Sequence, residues 1–121
     1  MGIRYETAPD IEKTARFVAE RIGMSHLDFK RIGFLRSYGS TSRAIARCYG
    51  LSKVWQKAFK LKSHYVVEVV SERFDRLSEE EKIKTVIHEL MHIPKCFGGG
   101  FRHHDFVCEA NVEKLYRKYF S

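Results

Sequence analysis

The chain has 121 residues, of which 44% are hydrophobic and 31% charged, and these values fit a single globular domain over residues 1–121. Lys and Arg outnumber Asp and Glu by 22 to 15, and the resulting charge of +7 favours polyanions, so nucleic acid is a possible partner. No apolar run reaches the ~20 residues of a membrane span, and the first residues lack a signal peptide, so we expect a cytoplasmic protein without membrane contact.

The first predicted element is a helix that begins at the segment Thr7-Ala8-Pro9-Asp10. Thr7 can cap the helix, Pro9 is tolerated in the first turn, and Asp10 is placed to complete a capping box. Gly23 supplies a C-terminal stop. The apolar residues that recur at helical spacing, and should face the core, are Ile11, Ala15, Val18 and Ile22.

Between Arg31 and Val70 the pattern changes to short apolar or alternating stretches separated by glycine- and serine-rich segments, which is typical of strands. The clearest of them is Tyr65-Val66-Val67-Glu68-Val69-Val70, a β-branched run of the length expected for a largely buried strand. The stretch from Leu51 to Leu61 is interpreted as strand or irregular structure.

A second helix is predicted after Ser78, because the Ser78 hydroxyl can cap it while Glu81 reaches back in a capping box. Pro94 should end this helix. Its core-facing stripe is Ile83, Val86, Ile87, Leu90 and Met91. A last helix is predicted beyond a three-glycine segment, with Cys108, Val112, Leu115 and Tyr119 on one face.

The segment His88-Glu89-Leu90-Met91-His92 carries the chemistry of the chain. Residues four apart on a helix lie on the same side, so both imidazoles can reach one ion. Glu89 lies beside that pair and off the apolar stripe, where it can approach a metal-activated water without being a ligand. The motif therefore indicates metal-assisted hydrolysis with Zn²⁺ as the cofactor.

Two other interpretations of the motif stay open. His88 and His92 could be solvent-facing helix residues, with Glu89 in an exposed interaction one turn from His92. Alternatively, the zinc could be structural, with four protein ligands, and Cys96 could close such a site. The three cysteines, Cys48, Cys96 and Cys108, are widely spaced and contain no Cys-x-x-Cys pair, so free thiols are expected.

A catalytic zinc ion usually has a third protein ligand, and His103 and His104 are the histidines downstream of the motif. Both follow the three glycines at 98–100, which allow the chain to reverse after the motif helix. One of the two should bind, and the residues alone do not choose between them.

These residues resemble the SprT-like zincin metallopeptidases, in which a third histidine begins the helix that follows the motif. The segment Ile87 to Pro94, with Gly99-Gly100-Phe101-Arg102-His103-His104, is similar to the compact archaeal and phage metallopeptidases related to that group. The resemblance implies that His104 is the third ligand and that His103 occupies a variable position. One departure is that Asp105 and Phe106 follow His104, where many SprT-like sequences have Gly and a later aromatic residue.

The resemblance also implies a fold, which agrees with the elements predicted above. It is an α+β, zincin-like domain with an N-terminal helix, a small and mostly antiparallel sheet, the motif helix and a C-terminal helix. In that reading His88, His92 and His104 hold Zn²⁺, and Glu89 is the general base that activates water against a peptide or protein substrate. The chief alternative is a basic binding module with structural zinc, which contacts nucleic acid or a protein partner and hydrolyses nothing.

Overall fold

A computed structural model describes residues 2–94 and 107–120 of the chain. Five helices and a four-stranded sheet make up these residues, which confirms the α+β class. No helix among them is long and apolar enough to cross a membrane. The elements in chain order are β1 (Arg4–Thr7), α1 (Pro9–Ile22), β2 (Ile32–Tyr38), β3 (Ala46–Gly50), α2 (Lys53–Phe59), β4 (Tyr65–Val70), α3 (Ser71–Phe74), α4 (Glu79–Met91) and α5 (Glu109–Tyr119).

The sheet is mixed, with the strand order β1-β2-β4-β3. β2 and β4 run parallel, whereas β1 pairs with β2 and β3 pairs with β4 in antiparallel fashion. Two of the three pairings are therefore antiparallel, as predicted. The connection between β2 and β4 passes through β3 and α2, and it leaves β3 at one edge of the sheet.

Helices α1 and α4 pack on one face of this sheet, and their predicted stripes are buried partly against the sheet and partly against α5. Ile11, Ala15, Val18 and Ile22 are all buried, which confirms the helical spacing of α1. Gly23 ends α1 with a φ of 79°, a left-handed conformation that glycine adopts without strain, and its N–H donates to the Ala19 carbonyl.

The start of α1 differs from the prediction. Thr7 is the last residue of β1, a strand that the sequence analysis missed, and Ala8 occupies the cap position without a side-chain hydrogen bond. The Ala8 N–H donates instead to the Phe34 carbonyl at 2.9 Å, so the start of α1 is fixed by the sheet rather than by a hydroxyl. The carboxylate of Asp10 pairs with Arg36 rather than completing a capping box.

The stretch from Leu51 to Leu61 is also different, because it contains helix α2 rather than a strand. Ser52 caps α2, and its hydroxyl accepts a hydrogen bond from the Trp55 N–H at 3.4 Å. None of the residues of α2, all of which are described, is buried. Because α2 has no buried face, its sequence lacks the apolar stripe at helical spacing that identified α1 and α4.

The helix that carries the motif begins as predicted. The Glu81 N–H donates to the Ser78 hydroxyl at 3.2 Å, and the stripe residues from Val86 to Met91 are buried. The helix ends at Met91, ahead of Pro94, with His92 in the cap position. α5 packs against α4 through a second apolar cluster, whose buried members are Val18, Ile22, Ile87, Met91, Val107 and Val112.

Candidate metal centre

His88, Glu89 and His92 lie together at the C-terminal end of α4. The apolar side of the helix faces the sheet and α1, so these three residues are the polar groups of its last turn. One ligand atom from each lies within 4.8 Å of those of the other two, and this is the group of metal-ligating residues found in the described part of the chain. The spacing predicted from the sequence is therefore present in the fold.

The three side chains differ in their access to solvent. His92 and Glu89 are only 4% and 5% exposed, whereas the side chain of His88 is 34% exposed. The two imidazole rings have their centroids 5.2 Å apart and are inclined at 72°. The arrangement places one ring at the mouth of the site and one in its floor.

Glu89 is a buried carboxylate, and its burial raises the pKa to about 7. Removing a carboxylate from water disfavours its charged form, and a nearby cation restores that form. The Nε2 atom of His88 lies 3.9 Å from Oε2 of Glu89. A buried acid beside two imidazoles therefore fits a divalent metal ion, and nitrogen donors suit zinc among such ions.

Cys48 on β3 lies near this carboxylate. Burial raises the pKa of the Cys48 thiol to about 12, and the charge of Glu89 adds to that effect. Cys48 and Cys108 are free thiols, as predicted. The Cys48 side chain packs against the apolar core from β3.

A cleft of about 480 Å³ opens above His88 and Glu89. Its two walls are the beginning of β3 with the loop before it, including Arg43 and Ile45, and the first turns of α5, including Glu109 and Val112. The floor is the outward face of α4. The floor was predictable from the sequence but neither wall was, because no spacing along the chain connects residues 43–46 with α5.

Lys84 joins the floor of the cleft to its α5 wall. Its ammonium group contacts Glu80 at 2.8 Å and also contacts Glu113 on α5, and these two carboxylates raise the pKa of Lys84. The same ammonium group lies 4.8 Å from the centre of the Tyr116 ring. The Glu80 and Lys84 spacing was visible in the sequence as an i, i+4 pair, but its continuation to α5 was not.

Several predicted residues lie outside the described residues: the candidate ligands His103 and His104, the alternative ligand Cys96, and the three glycines at 98–100. Tyr65, at the beginning of β4, is 1% exposed and packs in the apolar core, so its hydroxyl does not reach the cleft. The described part of the site thus consists of the motif helix, the cleft and its two walls.

The α+β fold and the clustered His-Glu-His group define a small domain with the donor set of metal-dependent hydrolases. A family model described as Putative phage metallopeptidase matches residues 3–119, and the chain belongs to that family. No curated protein and no solved structure gives a significant match. The match confirms the metallopeptidase part of the expected resemblance and does not extend to the SprT-like group.

Proposed function

We propose that the chain is a zinc-dependent metallopeptidase in which His88, His92 and His104 hold the ion and Glu89 is the general base. The observation that carries the proposal is the close grouping of the His88, Glu89 and His92 ligand atoms, within 4.8 Å of one another, beside a cleft that His88 and Glu89 line. A solvated helix face would not bury a carboxylate beside two imidazoles, because burial of an unpaired charge is costly.

Val107 supports His104 as the third ligand. Its side chain is 1% exposed and packs in the same apolar cluster as Ile87, which precedes the motif, and Met91, which lies within it. His104 precedes Val107 by three residues, and three residues span at most ~11 Å. A third ligand three residues before Val107 is therefore within the reach of the chain from the motif helix, which supports His104 in this role.

Each residue of the site has a defined task in this proposal. His88, at the mouth, and His92, in the floor, orient the ion, which when bound acidifies water and polarises a carbonyl group. Glu89 accepts a proton from the attacking water and passes it to the leaving amine. Its burial keeps bulk water away from the proton that it carries, and a bound ion would keep it ionised before the reaction.

The peptide would lie in the cleft beside β3. This strand is at the sheet edge and pairs with β4 on one side, so its other side can offer backbone hydrogen bonds to an extended chain. Ile45 and Ala46, at the beginning of β3, line the cleft together with His88. An extended substrate bound there would present successive carbonyl groups to the site of Glu89.

The experiment compares wild type with Glu89→Gln, measuring zinc content and the hydrolysis of a fluorogenic peptide library. We expect one zinc per chain in both proteins and a loss of turnover of about 10²- to 10⁴-fold in Glu89→Gln, the usual contribution of a general base. Glu79→Gln is the matched control, since Glu79 lies on the same helix at its exposed N-terminal end. Equal turnover in wild type and Glu89→Gln would refute the role of Glu89.

The choice of ligands is tested by removing each candidate in turn. His104→Ala should lose the metal, while His103→Ala and Cys96→Ser should retain it. If only His103→Ala loses the metal, the third ligand is His103 rather than His104. Loss of metal in Cys96→Ser, together with absence of hydrolysis by wild type, would favour a structural site and the non-catalytic binding module instead.

A further inference from the structure

Helix α2 presents large apolar side chains to solvent. Val54 is 76% exposed and Trp55 57% exposed, and Phe59 is exposed as well. The rings of Trp55 and Phe59 contact each other, with centroids 5.5 Å apart and planes inclined at 31°. Neighbouring apolar groups that stay exposed in the folded chain mark a surface that binds something.

The same segment is strongly basic. Residues 51–64 contain no Asp or Glu, and their lysines are Lys53, Lys57, Lys60 and Lys62. All four lysines are exposed. The stretch without Asp or Glu extends over residues 29–67, but Arg31 and Arg36 in its first part form ion pairs with Asp28, Asp10 and Asp75. The complement of such a surface is an anion with apolar or aromatic parts.

A depression of about 320 Å³ lies where α2 meets the sheet. Two aromatic rings, those of Tyr49 and Trp55, line it together with the imidazole of His64, and Val66 is part of its lining. Tyr49 is held in place by its hydroxyl, which donates to the buried carboxylate of Glu68 at 2.6 Å. The depression is thus a shallow site with flat, π-rich walls.

This depression faces away from the apolar core. Tyr49 and Arg47 alternate with Cys48 along β3, and Cys48 packs on the core side, so Tyr49 and Arg47 lie on the opposite face of the sheet. The Arg47 guanidinium contacts the hydroxyls of Tyr49 and Ser42. An arginine at the rim adds a further cation to the aromatic surface.

We propose that this surface binds single-stranded nucleic acid, with a base stacked in the depression and the backbone phosphates on the lysines of the segment 51–64. Proteins hold unpaired bases with exposed aromatic rings on a basic surface. The rings stack on the π-face of each base, and the basic side chains contact the negative charge of each phosphodiester linkage. We call it the α2 surface, comprising Tyr49, Trp55, Phe59, His64 and the four lysines.

A membrane surface fits these observations less well. α2 has seven residues and is therefore ~10 Å long, too short to bury a continuous apolar face in an interface. The depression also presents polar groups suited to a nucleotide, namely the imidazole of His64 and the hydroxyl of Tyr49, which Arg47 contacts. Charge complementarity alone fits both partners, and the shape and polarity of the depression favour a base.

The α2 surface is separate from the metal centre. Residues 45 and 46 at one end of β3 line the cleft, whereas residues 49 and 50 at the other end line the depression. Four residue steps along a strand correspond to ~13 Å. Binding to the α2 surface therefore does not need Glu89, and the inference does not depend on the proposed peptidase activity.

Trp55 is the only tryptophan of the chain, so its fluorescence reports on this surface directly. We expect a 15-nucleotide single-stranded DNA to quench that fluorescence without a blue shift, at 50 mM NaCl and with the zinc-loaded protein. Glu89→Gln should be quenched to the same extent. Emission that shifts to the blue with phosphatidylserine vesicles, while DNA causes no quenching, would assign the surface to membranes and overturn the proposal.

Variants then locate the binding by anisotropy of a labelled DNA strand. Trp55→Ala should weaken binding about tenfold, within the usual range for removal of a stacking ring, while Trp55→Phe should restore most of it. Lys53→Gln with Lys57→Gln should reduce the slope of log affinity against log salt by about 1.4, because each lost phosphate contact removes about 0.7.

The matched control is Lys13→Gln with Lys114→Gln, which removes the same charge from exposed positions on α1 and α5. We expect this control to keep the affinity and salt slope of wild type. Equal losses in the two double variants would show that binding follows net charge alone, and that result would overturn the proposal. Thermal melting of each variant excludes unfolding as the cause of a loss.

Discussion

The Nε2 atom of His88 lies 3.9 Å from the Oε2 atom of Glu89, although the first side chain reaches the mouth of the cleft and the second is buried. The last turn of α4 thus places the solvent-accessible imidazole of His88 next to the buried carboxyl group of Glu89. His92 completes the group from the floor. Because His88 is partly exposed and His92 is buried, we expect their replacement to affect the stability of the fold differently.

His88→Ala and His92→Ala should both lose the metal, but only His92→Ala should also lower the stability of the metal-free protein. Metal present at about 100 times its Kd stabilises a fold by about 2.7 kcal/mol, equivalent to roughly 10 °C in Tm for a domain of this size. We expect this difference in Tm between zinc-loaded and EDTA-treated wild type. In His88→Ala and His92→Ala, EDTA should leave the Tm unchanged.

The control for the two histidines is His64→Ala, which removes an exposed imidazole whose Nδ1 atom lies 2.7 Å from the Lys62 carbonyl oxygen. Its zinc content and its response to EDTA should equal those of wild type. A loss of zinc in His64→Ala, or an unchanged response to EDTA in His92→Ala, would contradict the assignment. Calorimetric scans with a metal assay on the same samples provide both readouts.

Much of this site was predictable because it depends on local spacing. His88 and His92 are four residues apart, Ser78 caps the helix, and the stripe from Val86 to Met91 faces inward, and each of these features follows from a short stretch of sequence. The cleft was not predictable. Its walls are residues 43–46 and the beginning of α5, which only the tertiary packing brings together.

The two errors in secondary structure have physical causes. All four residues of β1 are exposed, so the strand lacks the alternating pattern that reveals a half-buried strand. In α2 the apolar residues Val54 and Trp55 also remain exposed, and the frequent lysines interrupt the apolar pattern. The helical spacing of Trp55 and Phe59, together with Ser52 as a cap, was the signal that could have identified α2.

The ion pair between Arg36 and Asp75 should make stability depend on pH at the acidic end. The Arg36 guanidinium, at 2.7 Å, and the Ser71 hydroxyl hold the pKa of the Asp75 carboxyl below its usual range. Because this pKa is depressed in the folded state, the pair stabilises the fold fully above the unfolded value of ~3.9. The contribution is lost as the pH falls through the lower, folded value.

Asp75→Asn should therefore lower the free energy of unfolding at pH 7 by about 1 kcal/mol, a modest value because solvent screens this partly exposed pair. The difference from wild type should shrink as the pH falls below ~4, where the wild-type carboxyl also loses its charge. Glu20→Gln, on the exposed side of α1, serves as the control. An equal difference at pH 3 and pH 7, measured by urea unfolding, would show that ionisation of Asp75 is not the cause.

The last prediction compares two serine caps. Ser78 and Ser52 each accept a hydrogen bond from a backbone N–H three residues later, at 3.2 and 3.4 Å. α4 buries the apolar stripe that joins both core clusters, whereas α2 buries nothing. Ser78→Ala should thus cost about 1 kcal/mol of global stability, the usual value of an N-cap.

Ser52→Ala should instead affect α2 alone, because that helix can open while the core stays intact. We expect little change in the urea midpoint for Ser52→Ala, but faster amide hydrogen exchange in α2 than in wild type. Equal destabilisation by the two substitutions would mean that α2 unfolds together with the core. In that case the exposed side chains of α2 would belong to the cooperative unit that contains the metal centre.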